Sequence, residues 1–165
     1  MNSRIQDFDE FCAVESTRLW RLAVLSTGSA SEADDLVQDV LTKIYLKWNH
    51  VRSVEHPHAY CRKALINEIS SWRRRLRRHV RSNDELVEQD FSVSLLARHE
   101  LWSALRELPA KQRTAIALRY YEDLADSEIA AIMGCAQATV RSHVARGLGQ
   151  MRSAIVSQPD ELFQG

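Results

Sequence analysis

Residues 124–143 read LADSEIAAIMGCAQATVRSH, and this stretch decides the fold of the C-terminal part of the chain. Its first half predicts the inner face of a helix from three apolar residues at helical spacing, Ile129, Ala130 and Met133. Gly134 follows where that helix has to end, because glycine accepts the positive φ of a helix C-terminus and lets the chain reverse. Val140 and Val144 would then pack a second helix back on the first. The pattern predicts a helix-turn-helix.

The second of these helices carries a polar outer face. Six positions are left facing outward: Gln137, Thr139, Arg141, Ser142, His143 and Arg146. A helix presented in this way fits the major groove of duplex DNA, where amides and polar side chains hold phosphates and one or two side chains read base edges. The alternative that the pattern alone leaves open is a helical hairpin with a solvated outer face.

Helical periodicity continues outward from this stretch over most of the chain. In the C-terminal part we predict helices at 95–107, 110–121, 126–133 and 137–152. In the N-terminal part we predict a helix over 5–27, a second helix that Ser31 caps and that ends near Trp48, a loop from Asn49 to His58, and a helix that starts near Pro57. The predicted fold is all-α, with two small helical domains at 1–78 and 95–156, a flexible linker at 79–94 and a tail at 157–165.

The helix predicted after Pro57 ends in an arginine-rich sequence, HAYCRKALINEISSWRRRLRR at 58–78. The helix dipole favours cations at a helix C-terminus, yet five arginines in the six residues 73–78 exceed what that effect requires. We therefore favour a track for nucleic-acid phosphates. Three aromatic residues, Trp48, Tyr60 and Trp72, could stack on exposed bases, although we expect the two tryptophans to belong to the core.

An acidic segment, ADDLVQDV at 33–40, precedes the basic one. Asp35 and Asp39 are four residues apart, so they share one face of a helix. Neither His nor Cys accompanies them at ligand spacing, which disfavours metal or acid–base chemistry. We favour a docking face for a basic partner protein. The alternative is a solvated face whose charge suits a helix N-terminus.

The charge of the chain is balanced overall but segregated along the sequence. The 165 residues include 22 Lys and Arg and 22 Asp and Glu. Residues 1–40 carry eight acids and three arginines, whereas residues 52–82 carry nine basic residues and two acids. A nucleic acid would therefore be attracted to particular segments and not to the chain as a whole.

Composition excludes several classes of protein. Five Gly and three Pro exclude a collagen-like chain, and no apolar run approaches the roughly 18 residues of a membrane span. The N-terminus lacks the apolar region of a secretory signal. The three cysteines, at 12, 61 and 135, are spaced neither as a disulfide framework nor as a zinc site. We expect a cytoplasmic protein that needs no metal or cofactor and is not an enzyme.

Three motifs in a fixed order resemble the extracytoplasmic-function (ECF) sigma factors, the minimal class of the sigma-70 family. SEADDLVQDVLTKIYLKW resembles region 2.2, HPHAYCRKALINEISSWRRRLRR resembles regions 2.3 and 2.4, and the stretch from Leu105 to Arg152 resembles region 4. Within the family the chain is similar to the actinobacterial SigE-like subgroup. The resemblance implies a subunit that binds core RNA polymerase, directs it to promoters through their −10 and −35 elements, and promotes DNA melting. It also implies a possible anti-sigma partner.

The resemblance further implies roles for individual residues. The residues that would dock on the clamp of the largest polymerase subunit are Asp35, Gln38 and Asp39. The residues that would contact the −10 element are Asn49, His58, Arg62, Lys63, Asn67, Arg73, Arg74 and Arg75. Within this set, the loop 49–58 would capture a flipped base. The residues that would contact the −35 DNA are Arg113, Arg119, Gln137, Thr139, Arg141, Ser142, His143 and Arg146. Arg113 and Arg119 could instead contact the flap of the second polymerase subunit. The acidic linker would thread the RNA-exit path.

The chain departs from the family's pattern at several positions. His143 stands where Arg or Lys is common, and Asp126 stands where Tyr or an apolar residue is common. Gly147 and Gly149 weaken the recognition helix by about 1 kcal/mol each relative to Ala. Two other classes remain open: a stand-alone helix-turn-helix regulator, which would give no reason for the acidic face, and an enzyme or phosphorelay output protein, for which 165 residues leave no room.

Overall fold

The computed structural model describes residues 2–79 and 96–157, which are almost entirely helical and contain no strand. The chain divides into two compact units, Met1–Glu88 (unit 1) and Gln89–Gly165 (unit 2). The predicted all-α fold with two small helical domains is confirmed. The predicted linker at 79–94, apart from its first residue, and the predicted tail at 157–165, again apart from its first residue, lie outside the described residues.

Unit 1 is built from three long helices and one short one. These are α1 (Asn2–Thr27), α2 (Ala30–Leu46), α3 (Trp48–Val51) and α4 (Pro57–His79). Helices α1, α2 and α4 pack on one another, and each contributes fully buried aliphatic residues: Leu19, Leu22, Val40, Ile44, Leu65 and Ile69. This packing leaves the opposite faces of α2 and α4 exposed.

The turn between α1 and α2 differs from the predicted one. Ser29, and not Ser31, is the N-cap of α2: its hydroxyl accepts a hydrogen bond from the backbone N–H of Glu32 at 3.4 Å. Gly28 takes a φ of 78°, which ends α1 early enough for Ser29 to adopt the extended conformation of a cap. Ser31 therefore lies inside the first turn of α2.

The predicted loop from Asn49 to His58 is also corrected. Trp48–Val51 form the short helix α3, and Pro57 and His58 already belong to α4, so the irregular segment is only 52–56. Trp48 and Val51 are buried and hold α3 against the unit. Four residues are too few to show helical periodicity, whereas Pro57 suits the first turn of a helix because its missing N–H would be unpaired there in any case.

Unit 2 contains the predicted helix-turn-helix. Its elements are α5 (Leu96–Arg106), α6 (Ala110–Ile116), a π-helical turn (Ala117–Tyr121) that continues α6, α7 (Asp126–Met133) and α8 (Gln137–Val156). Helix α8 packs against α5, α6 and α7. The core is made of buried aliphatic residues: Leu105, Ile116, Leu118, Ile129, Val140 and Val144.

Two glycines set the geometry of α8. Gly134 ends α7 in the left-handed conformation at φ 65°, as the sequence predicts. Gly147 is buried where α8 crosses α6, and a Cβ added there would lie 2.5 Å from Cδ1 of Ile116. Gly147 therefore lets α8 approach α6 closely without displacing the buried Ile116, a role that its low helix propensity alone does not indicate.

Within the two described ranges, no helix is both long enough and apolar enough to cross a bilayer.

Candidate functional site

The acidic face of unit 1 lies on the exposed side of α2. Asp35, Gln38 and Asp39 are all exposed, while Leu36 and Val37 face the core. This division follows from helical spacing, because positions i, i+3 and i+4 share one side of a helix. The three predicted docking residues therefore form one continuous polar surface.

A groove between α1 and α2 runs beside this acidic face. It is lined by Ser16, Thr17, Trp20, Asp34, Val37, Gln38 and Leu41. The indole N–H of Trp20 donates to Oδ1 of Asp34 at 2.6 Å and thereby links the two helices at its rim. Gln38 belongs to both the groove and the predicted docking surface, so a partner that covers one would also meet the other.

The predicted −10 residues fall on α3 and α4 and differ in exposure. Asn49, Lys63 and Asn67 are exposed, and Arg62 is half-buried. His58, half exposed, stacks on Phe11 with ring centroids 5.5 Å apart. Its Nδ1 pairs with Oε2 of Glu15, a carboxylate that is only 2% exposed. His58 thus stabilises a buried acid in addition to the DNA contact predicted for it.

The three arginines 73–75 have different surroundings. Arg74 is exposed, whereas the half-buried Arg73 donates to the backbone carbonyl of Ser26 near the end of α1. Arg75 pairs with Glu68 at 3.3 Å, and Lys43 of α2 pairs with the same carboxylate. The hydrogen bond from Lys43, with that from Arg75, holds the pKa of Glu68 below its ordinary value against the opposing effect of burial. Arg73 therefore connects α4 to α1, and Lys43 connects α2 to α4 through Glu68, whereas the pair of Arg75 with Glu68 lies within α4.

The predicted recognition helix is α8, and most of its predicted contact residues face outward. Gln137, Thr139, Arg141 and Arg146 are exposed, while Ser142 and His143 are half-buried. Burial lowers the pKa of His143, and the neighbouring positive charges of Lys111 and Arg146 lower it further. Both effects favour the neutral form of His143 in the free protein.

Arg113 and Arg119 are less available than the sequence suggests. Arg113 is half-buried, and its Nη1 donates at 2.8 Å to the backbone carbonyl of Arg106, the last residue of α5. Burial, followed by the charge of Arg106, lowers the pKa of Arg113. Arg119 pairs with Asp126. Arg113 thus donates a hydrogen bond to a carbonyl group at the end of α5, so fewer of its N–H groups remain to bind DNA or polymerase.

Two residues of consequence were not proposed as site residues from the sequence. Glu15 lies on the apolar face of α1, four residues before the buried Leu19, and an acid at a core position was the signal that could have marked it. Asp126, noticed only as a departure from a family pattern, contacts two predicted DNA-binding arginines. Among residues 2–79 and 96–157, no group of three or more His, Cys, Asp or Glu side chains is arranged to hold a metal ion.

Comparison with known protein families assigns both units. Residues 14–79 match the Sigma-70 region 2 family, and residues 98–151 match the Sigma-70 region 4 family. An ECF RNA polymerase sigma factor, EcfG of Rhodopseudomonas palustris, is 30% identical over 94% of this chain and 87% of its own length. The chain is an ECF sigma factor of the sigma-70 family.

Two further relatives agree with this assignment. The RNA polymerase sigma-E factor of Streptomyces coelicolor is 27% identical to this sigma factor over 93% of the chain and 89% of the relative. The second is the solved structure of the sigma factor RpoE in complex with the anti-sigma factor NepR from Bartonella quintana. Its sigma-factor chain is 27% identical in sequence and matches with a TM-score of 0.75, over 93% of this chain and 99% of that chain. This sigma factor binds core RNA polymerase and directs it to promoter DNA in transcription initiation.

Proposed function

We propose that the two units of this sigma factor divide the work of initiation between them. Unit 1 docks on the clamp of the largest polymerase subunit and opens the −10 element, and unit 2 anchors the complex at the −35 element. The observation that carries this proposal is the separation of charge within unit 1: the exposed carboxylates of α2 lie in its first ten residues, whereas a series of exposed cations lies on α4. One face suits a basic protein surface and the other suits a nucleic acid.

The docking surface in this proposal consists of Asp35, Gln38 and Asp39. Their exposure on one side of α2 and the adjoining groove support it, because a partner helix could bury apolar surface in the groove and pair its cations with the carboxylates.

The melting step needs both a pocket for a base and a track for the backbone. Extruding a base from duplex DNA costs a few kcal/mol, which contacts to the flipped base and its phosphates can offset. We assign the phosphate contacts to the exposed Lys63 and Arg74, with Arg62, Arg73 and Arg75 at the edge of the track. Asn49, Asn67 and His58, on α3 and α4, would line the approach of the bases.

The −35 contact in this proposal is made by α8. The exposed Gln137, Thr139 and Arg141 lie in its first two turns, which is the part of a recognition helix that reaches base edges. Arg146 lies farther along and would meet phosphate, and Arg119 would contact the backbone or the polymerase flap.

Three coarser expectations complete the proposal. The chain acts by binding and contributes no catalytic step of its own, and it works in the cytoplasm, where the polymerase is. We also propose regulation by an anti-sigma factor, which is supported by the likeness to a sigma factor solved with one.

Run-off transcription tests the proposal directly. Purified core polymerase is assayed with and without this chain on a library of promoter templates, and specific transcripts are expected only when the chain is present. Equal initiation without the chain on every template would contradict the function. A promoter that responds to the chain but tolerates a scrambled −35 element would contradict only the role given to α8.

A further inference from the structure

One carboxylate in unit 2 joins three successive elements of the DNA-binding half. Asp126 is the first residue of α7. It forms an ion pair with Arg119, which lies in the π-helical turn, and its Oδ2 lies 3.7 Å from Nη1 of Arg141 on α8. Both arginines are among the residues predicted to contact −35 DNA, whereas the sequence marks Asp126 only as a departure from the family's pattern.

The setting of Asp126 reduces the solvent screening of its charge. Its side chain is 22% exposed, so the surrounding protein screens its charge less than water would. A carboxylate at the first residue of a helix is also favoured by the helix dipole. The backbone N–H of Ala125 is satisfied separately, by Glu128 at 2.9 Å, which leaves Asp126 for the arginines.

The two arginines are held to different degrees. Arg119 is the more enclosed, with 29% of its side chain exposed, whereas Arg141 is 59% exposed. At 3.7 Å the contact to Arg141 is an attraction between charges and exceeds hydrogen-bond length. Asp126 thus attracts Arg141 while leaving its N–H groups available to another acceptor.

We propose that Asp126 is a positioning residue for −35 recognition, which restrains Arg141 on the DNA-facing side of α8 and offsets its charge against non-specific phosphate contact. The inference rests on the proposed role of α8. Restraining a long arginine in advance reduces the entropy lost when it docks on a base. The negative charge beside it repels phosphates of every sequence and so lowers non-specific binding, while the base contact of the restrained arginine offsets this cost only at the matched element.

The test compares the full chain with its Asp126→Asn variant, each assembled with core polymerase. The probes are a promoter that responds to the chain in the run-off assay, the same promoter with a scrambled −35 element, and a random duplex. We expect the preference for the matched −35 element to fall roughly five- to tenfold, within the range of one arginine–base contact. Affinity for the random duplex should rise, with a salt slope steeper by about 0.9.

The control is Asp123→Asn. Asp123 is exposed in the loop before α7 and adopts a φ of 53°, a conformation that Asn tolerates well, so the variant removes one nearby charge without strain. Asp123→Asn should leave the preference for the matched element unchanged. Equal losses in the two variants would show a general charge effect and would overturn the proposal.

A merely structural role for Asp126 predicts a different result. Loss of unit stability would weaken binding to all three probes together, without a steeper salt slope, and that result would also overturn the proposal. In a protein that already carries Arg141→Gln, adding Asp126→Asn should not reduce the preference for the matched −35 element any further. If the double variant lost as much additional preference as Asp126→Asn loses alone, Asp126 would not act through Arg141.

A measurement on the unaltered chain covers the case in which Asp126→Asn fails to fold. Nitrogen-15 relaxation of the arginine Nε–H groups should show Arg119 and Arg141 to be more restrained than the exposed Arg146. Equal mobility of Arg141 and Arg146 would overturn the proposal. If the wild-type complex bound the matched and the scrambled −35 element equally well, the proposed role of α8 would be contradicted, whatever the effect of Asp126→Asn.

Discussion

At the scale of single residues, the predicted contact residues differ mainly in the partners that they find within the fold. The exposure of Asp35, Asp39 and Arg141 could be predicted, because helical spacing decides which side of a helix faces solvent. The pairing of His58 with Glu15 could not, since it joins residues 43 apart in the chain. A nearly fully buried carboxylate is costly unless a partner compensates it, so His58 has a structural role whatever it does toward DNA.

His143 provides a prediction about pH. Its pKa is lowered in the free protein by burial and by Lys111 and Arg146, so it binds a proton less readily than an ordinary histidine. Phosphates would raise that pKa in the complex, and DNA binding would then take up a proton. The affinity of the polymerase complex for promoter DNA should therefore increase as the pH falls from 7.5 to 6.0, by up to about tenfold per unit of pKa change.

The measurement is promoter affinity at constant ionic strength, with His143→Gln as the control that removes the titrating group. A pH dependence that is the same in both proteins would contradict the prediction. Folding stability should change in the opposite direction. The unfolded chain binds this proton more readily than the folded one, so the contribution of His143 to stability is present above the ordinary histidine pKa and is lost as the pH falls below it.

At the scale of elements, the sequence predicts most of the helices, including the eight-residue α7 at 126–133, but neither α3 nor the π-helical turn. Helices α1, α2, α4 and α8 are long enough for apolar periodicity to identify them, with ends displaced by a few residues. The four-residue α3 and the π-helical turn after α6 are stabilised by tertiary packing of Trp48, Val51 and Leu118, which no local pattern reveals.

The two glycines of α8 give a matched prediction about packing. Both replacements by alanine gain about 1 kcal/mol of helix propensity. Gly149→Ala adds a methyl group with nothing within 4 Å and should stabilise unit 2 by about that amount. Gly147→Ala places its methyl group 2.5 Å from Cδ1 of the buried Ile116 and should destabilise the unit.

Thermal unfolding of the two variants beside the unaltered protein checks this difference. An equal gain in both variants would show that Ile116 can move aside without cost. The close approach of α8 to α6 would then not depend on Gly147.

The exposed side of α2 carries a prediction about assembly. Asp39→Arg reverses one charge at the centre of the proposed docking surface and should weaken binding to core polymerase by about tenfold or more, equivalent to at least about 1.4 kcal/mol. Fluorescence or sedimentation titration with core polymerase measures the change, and circular dichroism confirms that the helices remain. Glu10→Arg, an equal reversal on the exposed side of α1, is the control. Unchanged affinity of the Asp39→Arg protein would remove α2 from the docking surface.

At the scale of the whole molecule, the important property is how charge is divided between segments. The formal net charge is zero, so the free chain has little general attraction for DNA. The two-unit helical architecture could be predicted from periodicity and motif order. The partners within each unit could not, because they depend on how helices distant in sequence pack against one another.

The balanced charge predicts that promoter affinity depends on assembly with polymerase. The free chain should bind duplex DNA only in the range of non-specific binding, about 10⁻⁴–10⁻⁶ M, and far more tightly once assembled with core polymerase. Fluorescence anisotropy with one labelled promoter, with and without core enzyme, measures both values. Nanomolar binding by the free chain would instead favour a regulator that acts without polymerase.

The hydrogen bond between Trp20 and Asp34 has a practical consequence. Indole emission responds to the polarity around the ring and to loss of its N–H acceptor, and this indole lies at the rim of the groove beside the acidic face. A protein that binds to that face would change the wavelength and intensity of Trp20 emission. The emission of Trp48, which is enclosed by Phe8 and Phe11, would change little. Trp20 can therefore serve as an intrinsic probe of docking on this face, once its emission is separated from that of Trp72, Trp102 and the partner's own tryptophans.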